Sequence, residues 1–116
     1  MVMQKEMPIF VRTFDFMQWI LPVTNHFPKT QRHIFTKRLL DAVFDLRERL
    51  EEANYRKGSA RLERIMRADE CLSKIRMYIR LAYKFNWLSA NQYRHVSEMI
   101  TEIGRLLGGW KKVTQR

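Results

Sequence analysis

SANQYRHVSEMITEIGRLLGGW, residues 89–110, is the stretch whose reading decides the fold. Tyr93, Val96, Ile100, Ile103, Leu107 and Trp110 step by three, four, three, four and three, the spacing of one helix face. Ser89 stands just ahead of the pattern with Gln92 three residues on. That pair predicts a capping box, in which each side chain satisfies the other residue's backbone N–H. A helix from about 89 to 110 follows, with one apolar stripe for a core.

The same period runs backwards through the chain. Leu62, Ile65, Leu72, Ile75, Ile79 and Ala82 predict a helix over about 60–85, closed by the turn Asn86-Trp87-Leu88. Asp69 falls on that line, either as the partner of a buried arginine or because the seam drifts there. Phe35, Leu39, Ala42, Val43, Leu46, Leu50 and Ala53 predict a helix over about 30–56. Its outer face interleaves Arg38, Asp41, Asp45, Arg49 and Glu52, as a solvated face does. Gly58-Ser59 breaks the pattern, glycine closing one helix and serine capping the next. So short a break makes the two helices antiparallel neighbours.

The first helix, about 9–25, opens after Pro8, and Pro22 is expected to kink it or end its regular part. It carries two apolar lines: Phe10, Phe14, Met17 and Leu21, and then Ile9, Phe16, Ile20, Val23 and Phe27. With Trp19 it is apolar around most of its girth, whereas a helix of a small monomeric bundle buries one stripe. The excess implies a second buried contact, most simply another subunit. No stretch alternates as a strand would. The expected fold is all-α, an up-down-up-down antiparallel four-helix bundle, one domain over residues 1–116.

Composition agrees. Apolar residues are 46% of the chain, enough for a core, and four Gly and three Pro leave few places to turn. A single Cys excludes an internal disulfide and suggests a reducing compartment. No apolar run approaches the ~18 residues of a membrane span, and the opening MVMQKEMPIF has no signal-peptide pattern. A soluble cytoplasmic protein is expected.

The charge points to function. Residues 71–116 hold nine Lys or Arg against Glu98 and Glu102, which is +7 of the chain's +10. Arg76, Arg80 and Lys84 lie four apart, a ridge turned away from the Ile75–Ile79 seam, with Lys74 beside it. No acid lies three or four residues from Arg76, Arg80 or Lys84. Such a band holds polyanions by charge rather than by base readout, and Lys111, Lys112 and Arg116 add a basic tail. Ser97, Thr101, Gly104 and Gly108 form a ridge of small residues, expected at a close helix contact within the chain or between subunits. Gly108-Gly109 is also a place where the helix can fray before Trp110.

Catalytic chemistry is not legible. His26, His33 and His95 are scattered, with no Glu-x-x-His pair, so no metal or cofactor is expected. Cys71 reads as a small buried hydrophobe. There is no phosphate-binding loop, dinucleotide fingerprint or nucleophile elbow.

Two stretches carry a resemblance: Trp19-Ile20-Leu21-Pro22 followed by Phe27-Pro28-Lys29-Thr30-Gln31-Arg32, and Ile103-Gly104-Arg105-Leu106-Leu107-Gly108-Gly109-Trp110. With the helix lengths, they resemble the bacterial four-helix bundle family that includes the accessory variability determinant (Avd) of diversity-generating retroelements. The family also includes bundles encoded in intervening sequences of ribosomal RNA genes. The resemblance implies a pentameric barrel of basic, non-catalytic protomers. It implies as partners a reverse transcriptase and the template RNA or cDNA, in support of mutagenic copying and retrohoming. The alternative branch implies a stand-alone structural or nucleic-acid-binding bundle without a reverse transcriptase.

By motif position the resemblance adds Arg32 and Arg105 to the candidate binding residues, beside Lys74, Arg76, Arg80, Lys84, Lys111 and Lys112. Arg32 could equally brace the turn after Pro28, and Arg105 could serve a subunit contact. Phe10, Phe14, Trp19, Gly104, Gly108 and Trp110 are the expected oligomer interface.

Overall fold

A computed structural model describes residues 7–116 and contains, among them, four α-helices and no strand. They are α1 (Pro8–Thr24), α2 (Lys37–Asn54), α3 (Gly58–Lys84) and α4 (Ala90–Gln115). Residues 1–6, part of the opening read for a leader, lie outside this description. The protomer measures 44 × 31 × 22 Å. Contacts run mainly between α2 and α3 and between α3 and α4; α1 lies on α4 and touches α2 sparingly.

One apolar cluster draws on every helix. Phe16, Ile20, Leu39, Leu46, Leu50, Ile65, Leu72, Ile75, Ile79, Ile103 and Leu107 are fully buried in it. Both ends are closed by rings. At one end Phe10 meets Trp110 edge-on at 6.1 Å, and Arg61 lies 5.5 Å above the Trp110 ring. At the other, Phe27, Phe35 and Trp87 pack mutually, with Tyr78 against Phe35.

The connections follow local rules. The Ser89–Gln92 capping box forms with both bonds present. Asn86 adopts φ 62°, and the Trp87 and Asn86 N–H groups donate to Ala82 and Tyr83 carbonyls, a Schellman closure with asparagine in the left-handed position. The last carbonyls of α2 accept from Arg56 and Arg61 side chains, cations placed where the helix end is electronegative.

Several boundaries differ from the sequence reading. Helix α1 runs two residues past Pro22 before tighter turns end it. A 3₁₀ turn (Lys29–Gln31) and a π turn (Arg32–Thr36) precede α2, so the segment expected to be regular from Thr30 is helical but not α. Ser59 does not cap α3, which begins at Gly58 with φ +58°, a backbone setting only glycine adopts without strain. Asp69 is exposed while Ala68 is buried, so the seam drifts there. Helix α4 does not fray at Gly108-Gly109 but continues to Gln115.

Candidate nucleic-acid interface

Most ion pairs among the described residues lie on α1, α2 and the first half of α3. Asp15, Asp41, Glu48, Glu51, Glu52 and Glu63 pair with Arg12, Lys37, Arg47, Arg49, Arg64 and Arg67. Beyond Arg67, the only ion pair among the described residues joins Arg105 to Glu102. Lys74, Arg76, Arg80, Lys84, Arg94, Lys111 and Lys112 have neither an ion pair nor a side-chain hydrogen bond there. The cationic ridge is therefore uncompensated in space as well as in sequence.

Arg105 departs from that pattern. Its Nε and Nη2 donate to both Glu102 oxygens at 3.0 and 2.6 Å, holding the Glu102 carboxyl below its usual range and raising the arginine. It is a compensated charge, not a free phosphate hook. Arg32 stands elsewhere, lining a hollow of about 400 Å³ between the end of α1 and the start of α2 with Lys29, His33 and Lys37. Lys111 and Lys112 lie about 10–12 Å along α4 from Gly104.

The structure brings together two features that the sequence kept apart. Arg76 and Arg80 form one wall of a cleft of about 220 Å³; Tyr93, Ser97 and Thr101 of α4 form the other. A Cβ on Gly104 would stand 2.5 Å from Arg76 Nη2 and 3.5 Å from Leu72 Cδ2, so the glycine makes room for the guanidinium. The small ridge thus accommodates arginine rather than a close backbone approach. Nothing lies within 4 Å of a Cβ placed at Gly108, so in the protomer that position is open, not packed.

This predicts an unusual response to Gly104→Ala. Helix propensity gains up to about 1 kcal/mol, while the methyl displaces the Arg76 guanidinium. A urea melt should show stability retained or raised, and retention on a heparin column should fall by as much as for Arg76→Ala.

Tyr83 and Tyr93 were not expected beside the ridge; Tyr93 packs against the core, as its place on the seam implied, and also meets Tyr83. Both are half-buried, and their rings stack at 4.3 Å and 4°. The signal was aromatic residues interleaved with the basic ones. Met77, Leu81 and Phe85, four apart beside Arg76, Arg80 and Lys84, form an exposed apolar line that the charge-based reading also passed over.

The expected interface residues divide. Phe10 and Trp110 face each other in the protomer's own core, because α1 lays its first turn across the end of α4. Trp19 is half-buried against the core, its ring 5.5 Å from His95. Phe14 is exposed, at 53%. Cys71 is half-buried, and burial pushes its thiol up. Among the described residues no three His, Cys, Asp or Glu are grouped to hold a metal ion, and no helix is long and apolar enough to cross a membrane.

A comparison with curated proteins finds no match. The model of the bAvd-like family matches residues 1–114, nearly the whole length, on a chain whose described part is a basic, all-helical, four-helix fold. The chain belongs to the bAvd-like family.

Proposed function

We propose that the chain is a non-catalytic accessory protein of a diversity-generating retroelement. It binds the element's reverse transcriptase and its template RNA or cDNA, and so supports mutagenic cDNA synthesis and retrohoming in the cytoplasm. The observation that carries this reading is the unpaired ridge of Lys74, Arg76, Arg80 and Lys84 beside the α3–α4 cleft, in a family of accessory proteins. Cations without intramolecular partners are free to neutralise phosphates and release the counterions condensed on a nucleic acid.

Assembly as a homopentamer is part of the proposal. Val11, Phe14 and Phe44 leave apolar surface on α1 and α2 that a second copy would cover. Light scattering after size exclusion measures it.

Replacing Arg76 and Arg80 together by alanine tests the ridge. RNA affinity should fall, and the slope of log affinity against log salt should shrink by about 2, one per lost phosphate contact. Co-purification with the reverse transcriptase should weaken in parallel, with the thermal melt unchanged. Unaltered binding of both partners would show the ridge to be a solvated face.

A further inference from the structure

We propose that the α3–α4 cleft seats an unpaired, single-stranded stretch of nucleic acid, with phosphates on Arg76 and Arg80 and a base against the stacked Tyr83–Tyr93 pair. The inference rests on the proposed binding role of the ridge and adds which form of nucleic acid the site takes.

The argument starts from Tyr93. This residue lines the Arg76–Arg80 cleft and also a second, more open hollow of about 530 Å³, where Tyr83, Arg94, Glu98 and Glu102 join it. Ser97 and Thr101 line both hollows. The two spaces therefore flank one aromatic residue, and a ligand in one is continuous with a ligand in the other.

They differ in charge. The Arg76–Arg80 side contains no acid. The Tyr83 side is mixed: it contains the cation Arg94, Glu98, which makes no ion pair among the described residues, and Glu102, already engaged by Arg105. Carboxylates repel phosphate but accept hydrogen bonds from exocyclic base amines. The cleft is thus polarised, phosphate on one side and base on the other.

The tyrosines supply the surface for the base. Two rings nearly parallel at 4° hold each other in a fixed plane, so a base stacking on an outer face meets an ordered partner. The Ser97 and Thr101 hydroxyls offer hydrogen bonds without demanding a particular base. A duplex cannot use this arrangement, because its bases already stack on one another; it reaches only the exposed cations. An acidic protein segment could meet Arg76 and Arg80, but it would leave the tyrosine plane unused.

The test compares an unstructured oligoribonucleotide, its deoxy counterpart, the same strands annealed to their complements, and an abasic strand of equal phosphate number. Titrations use the full chain, wild type and the Tyr93→Leu, Tyr93→Phe and Arg76→Ala/Arg80→Ala variants. Tyr93→Leu should weaken single-strand binding by roughly 5- to 150-fold, the range for losing one base–aromatic stack. Duplex affinity should not change, and Tyr93→Phe should bind as wild type. The abasic strand should bind wild type as weakly as the intact strand binds Tyr93→Leu, which keeps the test decisive even if the leucine variant is poorly folded. Ribo and deoxy strands distinguish template RNA from cDNA as the occupant.

The inference is overturned if intact and abasic strands bind alike, or if duplex is preferred. In either case a persisting loss in Arg76→Ala/Arg80→Ala leaves the ridge's binding role standing. If that double variant binds every nucleic acid as wild type does, the ridge reading fails together with this one. Capture of the reverse transcriptase without any strand selectivity would assign the cleft to a protein partner and overturn the inference as well.

Discussion

Phe16→Ala should cost about 3–5 kcal/mol, a large share of the roughly 5–15 kcal/mol by which such domains are stable. Phe16 is completely buried and belongs to the cluster shared by all four helices. Truncation removes a ring from α1 where that helix has the fewest alternatives, because α1 is held by α4 and only sparingly by α2. Neighbouring helices cannot close the void without breaking their own packing. Phe14, two residues away, is the internal control. At 53% exposure it should tolerate alanine within about 0.5 kcal/mol in the protomer. Urea melts of both variants at one fixed protein concentration measure the difference, since an assembling protein's apparent stability depends on concentration. Similar losses for the two would mean that α1 is rotated from the placement described. A Phe14→Ala protein that melts normally but no longer assembles would place Phe14 at a subunit contact.

The Phe14–Phe16 contrast also shows where sequence reading stops. Period placed all four helices and most core residues of α2, α3 and α4, most cleanly on α2 and α4, which each have one apolar stripe, and the Ser89–Gln92 spacing placed the capping box. Helix α1 has two lines of similar hydrophobicity, and which one faces inward is fixed by where α2 and α4 lie. The structure buries Ile9, Phe16, Ile20 and Phe27 from one line and only Phe10 from the other. The cationic ridge was legible because charge compensation in helices is mostly local, within three or four residues. Its neighbourhood was not. That Gly104 sits under Arg76, and that Tyr83 meets Tyr93, depend on the register between α3 and α4, which no single-helix pattern encodes. Arg105 is the converse case: its pairing with Glu102, three residues away, is a local contact of the kind a single-helix pattern encodes.

Arg47 is the residue sequence reading overlooked entirely, and Arg47→Met should cost about 1.5–3 kcal/mol. It sits on α2 among interleaved charges, where an arginine normally means a solvated face. Instead its side chain is only 18% exposed and reaches across to α1. Nη1 donates to the Phe10 carbonyl at 2.8 Å and to Thr13 Oγ1 at 3.1 Å, Nε donates to Glu51 at 2.8 Å, and the guanidinium lies 5.0 Å from the Phe10 ring centre. These are charge-assisted bonds in a half-dry site, stronger than neutral ones, and they bridge α1 and α2, which touch sparingly. Methionine keeps most of the stem's packing and removes the donors, so the loss reports the polar clamp rather than a cavity. Arg67→Met is the matched control: that side chain is 56% exposed and bonds only Glu63 on its own helix, so its loss should stay within about 1 kcal/mol. Hydrogen exchange should show the first turns of α1 opening well before the rest in Arg47→Met and not in Arg67→Met. Equal, mild losses in the two variants would reduce Arg47 to another surface charge and leave α1 held by its apolar face alone.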